Sequence, residues 1–154
     1  MEKTSMFART ALSFGLLLLV TATGVAKSAD LPVDRPALVV LPDGTHLEVG
    51  GRVEGRVTAA VVTTSDLAER KPLKESMLHP RSGHTATVLP DGRVLIWGGV
   101  DDSGNIVRTG EWFDPASGHF SEAQGITLLP RAGHSATVLT DGRLLVLGGH
   151  GGFT

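Results

Sequence analysis

Short runs of β-favouring and apolar residues, separated by turn residues, recur along the chain. The run HTATVL (84–89) is followed by Pro-Asp-Gly and then by the almost wholly apolar RVLIW (93–97). Asp-Gly between two such runs is a strong hairpin signal, because glycine takes φ > 0 and aspartate bonds its own downstream backbone. A strand that is apolar on both faces needs cover on both faces. The pattern therefore predicts hairpins that are sandwiched between neighbouring layers.

The hairpin pattern is an internal repeat. RSGHTATVLPDGRVLIWGG (81–99) and RAGHSATVLTDGRLLVLGG (131–149) agree at 13 of 19 positions, and a weaker copy, PALVVLPDGTHLEVGG, occupies 36–51. Five residues separate an Asp-Gly pair from a Gly-Gly pair in every copy. A fixed period of this length is typical of repeat architectures. We interpret the following as structural residues of the repeat: Asp91, Gly92, Gly98, Gly99, Asp141, Gly142, Gly148, Gly149, His84, His134 and Trp112.

The segments between the hairpins complete the repeating unit. Val107–Phe113 is a candidate strand, DPASG is a turn, and a last short strand is expected from His119. In the preceding unit the corresponding slot is less regular, and Leu67–Glu75 is also compatible with a helical turn. Four short strands in about fifty residues are the composition of one propeller blade. The predicted fold class is all-β, with four-stranded antiparallel sheets.

The PRxGH start, the ATVLxDGRxLxxGG hairpin and the stretch EWFDPASGHF resemble the kelch repeat, particularly that of galactose-oxidase-like propellers. The resemblance implies an incomplete kelch-type β-propeller of about two and a half blades at 36–154, with units at 36–80, 81–130 and 131–154. Closed propellers typically have four to eight blades. We therefore expect either a truncated piece of a longer propeller or several copies that assemble into a ring.

The N-terminus has the features of a secretory signal peptide. Lys3 and Arg9 precede an uncharged stretch, ALSFGLLLLVTATGVA, which is short for a bilayer span and ends in small residues. We predict a signal peptide at 1–26, cleavage after Ala26 or Ser28, and a short linker at 27–35. The mature chain is then secreted or periplasmic, with no membrane attachment.

Absence of cysteine argues against a disulfide-stapled ectodomain. A formal charge of −2 without a basic block argues against nucleic acid as a partner.

The chain offers few candidate chemical groups. His84 and His134 occupy equivalent positions, but only His150 is a loose third ligand, so we favour a structural role and predict no metal site. Arg81 and Arg131 lie in the loops that lead into the hairpins. The resemblance places these loops around a central channel, where arginines could bind a sugar acid or an acidic peptide. The alternative, which we favour, is a structural arginine between blades.

No catalytic set or cofactor is predicted. The radical chemistry of galactose oxidase requires a tyrosine and a cysteine, and the chain has neither. Nucleophile-elbow and phosphate-binding motifs are also absent. Two hypotheses therefore remain. The first is an exported module that binds protein or carbohydrate, and the second is a fragment of a carbohydrate-active propeller enzyme, similar to a sialic acid mutarotase. In either case we expect self-association through open apolar edges.

Overall fold

The computed structural model describes residues 35–65 and 69–151. In this part of the chain every regular element is a β-strand, and the strands form four antiparallel sheets of two to four strands. The all-β fold class is thus confirmed. These residues include no helix that has the length and hydropathy of a bilayer span. The predicted signal peptide and all but the last residue of the predicted linker lie outside the described residues.

The first sheet is built around the weakest copy of the repeat. Its strands, in spatial order, are β1 (Ala37–Val40), β2 (His46–Val49), β5 (Val61–Thr64) and β6 (Arg70–Pro72). The Asp43-Gly44 turn joins β1 to β2 with Val40 opposite His46. Arg70–Pro72 pairs with Val62–Thr64 as an edge strand. The alternative of a helical turn at Leu67–Glu75 is therefore wrong for Arg70–Pro72, because these residues form the fourth strand of the sheet.

The second sheet is a simple meander over the second copy. It comprises β7 (Thr85–Val88), β8 (Val94–Trp97), β9 (Glu111–Asp114) and β10 (His119–Glu122) in sequential order. All four residues of β8 are buried, so the expectation of cover on both faces is confirmed here. The third strand is shorter than the predicted Val107–Phe113. Ile106 makes only an isolated bridge, and Gly110 lies against the ring of Trp97.

The third sheet contains only the hairpin of the third copy. Its strands are β11 (Ala132–Val138) and β12 (Leu144–His150), and Val138 lies opposite Leu144 across the Asp141-Gly142 turn. The expectation of cover on both faces is wrong for β12. Leu145 and Leu147 are exposed, because no further layer among the described residues packs on that face.

A small hairpin that the sequence analysis did not predict lies between β2 and β5. It consists of β3 (Arg52–Val53) and β4 (Arg56–Val57). Both residues of its turn, Glu54 and Gly55, have positive φ, the conformation of a two-residue type I′ hairpin turn. The signal in the sequence was the Glu-Gly pair, which is weaker than Asp-Gly because glutamate rarely adopts positive φ.

Two hydrophobic clusters join the successive sheets. One includes Leu47, Val49 and Val61 from the first sheet and Val94, Ile96, Phe113 and Phe120 from the second. The other joins Leu95, Trp97 and Ala123 to residues that include Leu144 of the third sheet. Alternate residues of β8 thus face opposite neighbours, as a pleated strand requires.

The same backbone hydrogen bond crosses both junctions between sheets. Gly51 N–H donates to the Arg81 carbonyl at 3.0 Å, and Gly99 N–H donates to the Arg131 carbonyl at 2.9 Å. Gly51 and Gly99, the second glycines of the first two Gly-Gly pairs, therefore hold the loops that open the next repeats. Both predicted arginines stand at these junctions.

Candidate functional site

The side chain of Arg81 is enclosed between the first and second sheets, with 0% of its surface exposed. Its guanidinium donates to the carbonyl oxygens of Gly98 at 3.1 Å and Thr109 at 2.8 Å. It also forms an ion pair with Glu111 at 2.6 Å. Burial lowers the pKa of Arg81, and the negative charge of Glu111 counteracts that effect. The geometry leaves this guanidinium fully engaged within the protein.

Glu111 is the residue that sequence reasoning missed. It opens β9 and is fully buried. Besides Arg81, its carboxylate accepts the backbone N–H groups of Leu78 at 2.7 Å and His79 at 3.0 Å. Burial of a carboxylate is tolerated when a cation and hydrogen-bond donors surround it, as here. The sequence contained one signal for this buried acid. Glu111 directly precedes the aromatic pair Trp112-Phe113 in a predicted core strand.

Arg131 repeats part of this arrangement at the third sheet. Its guanidinium donates to the Leu129 carbonyl at 3.3 Å and to the Gly148 carbonyl at 3.0 Å, as Arg81 does to His79 and Gly98. The side chain is partly exposed, and no carboxylate of residues 35–65 or 69–151 pairs with it. It lines a cleft of about 350 Å³, formed by Leu129, Pro130, Arg131 and residues 148–151. The two arginines, which the sequence grouped together, thus differ in access.

His84 and His134 lie at the two junctions between the sheets. The pKa of His84 is lowered to about 3, mainly by burial, and that of His134 to about 4 for the same reason. His134 Nε2 is 2.9 Å from the hydroxyl of Thr85 on the neighbouring sheet. Both imidazoles are therefore neutral at pH 7.

The Asp-Gly residues of the repeat form its turns. Asp91 accepts the N–H of Arg93 at 3.1 Å, and Asp141 accepts that of Arg143 at 3.0 Å. The second carboxylate oxygen binds the guanidinium of the same arginine. These contacts lower the pKa of both aspartates. Gly92 and Gly142 supply the positive φ at the next position.

Trp112 lies beside the Asp91-Gly92 turn of the second sheet. It is opposite Leu95 in the β8–β9 register, and its ring carries the guanidinium of Arg93 at 4.5 Å from the centroid. Its neighbour Phe113 packs on Phe120 with 4.7 Å between ring centroids. The aromatic strand therefore contributes to both faces of the second sheet.

Other acidic residues are occupied in loops. Asp101 accepts the N–H groups of Ser103 and Asn105, Asp102 accepts that of Val57 at 2.6 Å, and Asp114 accepts that of Ala116. The described residues include no cluster of three or more histidine or acidic side chains that could hold a metal ion. Of the two predicted arginines, Arg131 is the one that lines a cleft, and its cationic fork there suits a carboxylate.

Comparison with protein-family models and with curated proteins finds no match to this chain.

Proposed function

We propose that this chain is an exported segment of a kelch-type β-propeller and that it binds protein partners through its third hairpin. Support for the propeller comes from the repeat of about fifty residues and from two successive four-stranded sheets. The recurrence of the same backbone hydrogen bond at both junctions between sheets adds to that support. A fold does not by itself specify a function, so the binding role needs its own observation.

The observation that carries the binding role is the environment of β12. Its homologous strand β8 pairs with β7 on one edge and β9 on the other, whereas β12 pairs only with β11 within the described chain. Leu145 and Leu147 are exposed beside this edge. An exposed strand edge presents a row of backbone donors and acceptors that can pair with an added strand. The chemistry of such a surface favours extended polypeptide over sugar.

The second candidate function, a fragment of a carbohydrate-active propeller enzyme, draws on fewer groups. Arg81 is enclosed and bound to Glu111, so of the two predicted arginines Arg131 alone offers a cation to the carboxylate of a sugar acid. A single arginine in an open cleft lacks the convergent polar groups of a typical carbohydrate site.

The experiment is a comparison of extended peptides with glycans as ligands of the purified chain. Immobilised peptides of varied sequence and a glycan panel that includes sialic acids would be probed by interferometry. We expect saturable binding to peptides, and loss of binding when prolines replace the peptide residues whose N–H groups would face β12. Binding to glycans without binding to peptides would contradict the proposal. Acceleration of sialic acid anomer exchange, measured by NMR, would establish the second candidate instead.

A further inference from the structure

The environments of Arg81 and Arg131 correspond residue by residue at a spacing of fifty. Around Arg81, the guanidinium contacts a carbonyl two residues earlier, the carbonyl of Gly98 and the carboxylate of Glu111. Around Arg131, the contacts to Leu129 and Gly148 recur. The carboxylate has no counterpart in the described part of the third unit. The cleft of about 350 Å³ is lined by the arginine loop, residues 129–131, and by the end of β12.

The backbone donors that Glu111 satisfies also have equivalents. Glu111 accepts the N–H groups of Leu78 and His79, which correspond at the same spacing to Leu128 and Leu129. Within the described structure, no acceptor takes the N–H of Leu128 or Leu129. By this correspondence, the guanidinium of Arg131 and the two amides are the donors that a carboxylate at the position equivalent to Glu111 would meet. Hydrogen bonds to an ionised partner are shorter and stronger than neutral ones.

The neighbouring strand edge specifies the residues that would flank this carboxylate. In the second sheet, Glu111 and Trp112 of β9 lie opposite Ile96 and Leu95 of β8, respectively. The corresponding β12 residues are Val146 and Leu145. Arg93, which stacks on Trp112, corresponds to Arg143, whose side chain is largely exposed. The edge thus combines a carboxylate receptor with a cation placed for an adjacent aromatic ring.

We propose that the β12 edge and the Arg131 cleft form a receptor for an extended, antiparallel protein segment in which a glutamate is followed by an aromatic residue. The glutamate binds Arg131 and the Leu128 and Leu129 amides, the aromatic residue lies over Leu145 beside Arg143, and the backbone pairs with β12. The occupant is a strand of the type that the chain itself carries at 111–114. This inference rests on the proposed function and names the partner class for it.

The test uses a fluorescent peptide with the sequence of residues 109–122, TGEWFDPASGHFSE, and the intact chain. We expect saturable binding by fluorescence anisotropy. A peptide in which Gln replaces the glutamate should bind about tenfold more weakly or worse, because amide oxygen is a poorer partner for arginine. Arg131→Ala in the chain should weaken the native peptide by a similar factor and leave the Gln peptide nearly unaffected, as a double-mutant cycle requires.

The matched control is Arg56→Ala, which removes an exposed arginine on β4 and should leave the affinity unchanged. If Arg131→Ala alters the circular dichroism of the chain, Arg131→Lys provides the second variant. It keeps the charge but loses the forked geometry, and we expect an intermediate loss. Equal affinity of the Glu and Gln peptides would overturn the inference and leave the proposed protein-binding function intact. Absence of saturable binding by any peptide would overturn both.

Discussion

The hairpins β7–β8 and β11–β12 have nearly the same sequence but different surroundings. Leu95 is 3% exposed and its counterpart Leu145 is 37% exposed, and the values for Trp97 and Leu147 are 4% and 57%. The turns, the registers and the hydrogen bonds of the Asp-Gly aspartates are the same in both. Local sequence thus determines the hairpin, and its neighbours determine what the hairpin buries.

The arginines that open the two hairpins also differ in their surroundings. Arg81 is paired with a buried carboxylate, whereas the described residues give Arg131 only two carbonyl oxygens. The same repeat position therefore holds a buried, stabilising arginine in the second unit and a solvent-accessible arginine in the third. Substitutions at paired positions measure this difference directly.

The largest effect is expected from removal of the arginines. Arg81→Ala leaves the carboxylate of Glu111 buried without its cation, which should lower the free energy of unfolding by about 3–5 kcal/mol. Arg131→Ala removes a partly exposed side chain and should cost less than about 1 kcal/mol. Urea denaturation of the two variants and the parent chain is the measurement. Similar losses for both variants would contradict the difference in burial.

The second comparison concerns the first glycine of each Gly-Gly pair. Gly98 and Gly148 have φ of 70° and 69°, so alanine is equally strained at both. A Cβ at Gly98 would collide with the Arg131 carbonyl oxygen and lie 2.9 Å from His134 Cε1, whereas a Cβ at Gly148 meets nothing within 4 Å.

We therefore expect Gly148→Ala to cost about 1 kcal/mol, the backbone strain alone. Gly98→Ala should cost about 3 kcal/mol or more, because it also forces apart the second and third sheets. Thermal and urea unfolding would be compared for the pair. Equal costs would mean that the contact between these sheets is looser than the geometry indicates.

A third, smaller effect is a dependence of stability on pH. His84 has a folded-state pKa of about 3, below the 6.5 of the unfolded chain. Its contribution is fully present above pH 6.5 and is lost as pH falls toward 3, because the unfolded state binds the proton first. At pH 5 the loss is about 2 kcal/mol.

His84→Gln should flatten the stability profile between pH 8 and pH 5, a window in which the turn aspartates stay ionised because their pKa values are lowered. The direction for His134 is the same, and His134→Gln should have a weaker effect. Urea midpoints measured across the window provide the data. An unchanged slope in His84→Gln would contradict the assignment of a buried, neutral imidazole.

Much of the fold was predictable because turn chemistry and periodicity act locally. The Asp-Gly turns, both strands of each repeat hairpin and the strand from His119 were predicted from the sequence. Arg70–Pro72 was not, because a short charged edge strand has no apolar alternation and depends on its pairing with β5. The β3–β4 hairpin was missed because Glu54 adopts a φ that its residue type disfavours.

The candidate site was only partly predictable. The sequence identified Arg81 and Arg131 but gave no means to distinguish them, since their local contexts are nearly the same. The distinction comes from Glu111, which lies thirty residues after Arg81. The meander of the second sheet brings Glu111 back into contact with Arg81. Burial of an ion pair across such a separation is a tertiary property that neither spacing nor composition encodes.

The smallest effect on stability, and the largest on association, is expected at the exposed face of β12. Leu145→Lys with Leu147→Lys should change the free energy of unfolding by no more than about 0.5 kcal/mol, because both side chains are exposed and a lysine can reach solvent from either position. The same change should shift the chain toward the monomer, since lysine at an exposed strand opposes pairing and the native face otherwise gains from burial. Light scattering and sedimentation at micromolar concentration would follow this shift.

The matched control is Val53→Lys with Leu78→Lys, which adds the same charge at two other exposed apolar residues. If the control improved solubility as much as the β12 variant, net charge alone would be the cause. A parent chain that is already a cooperatively unfolding monomer would show that β12 needs no second surface, and the contrast between the two hairpins would then have no consequence for assembly.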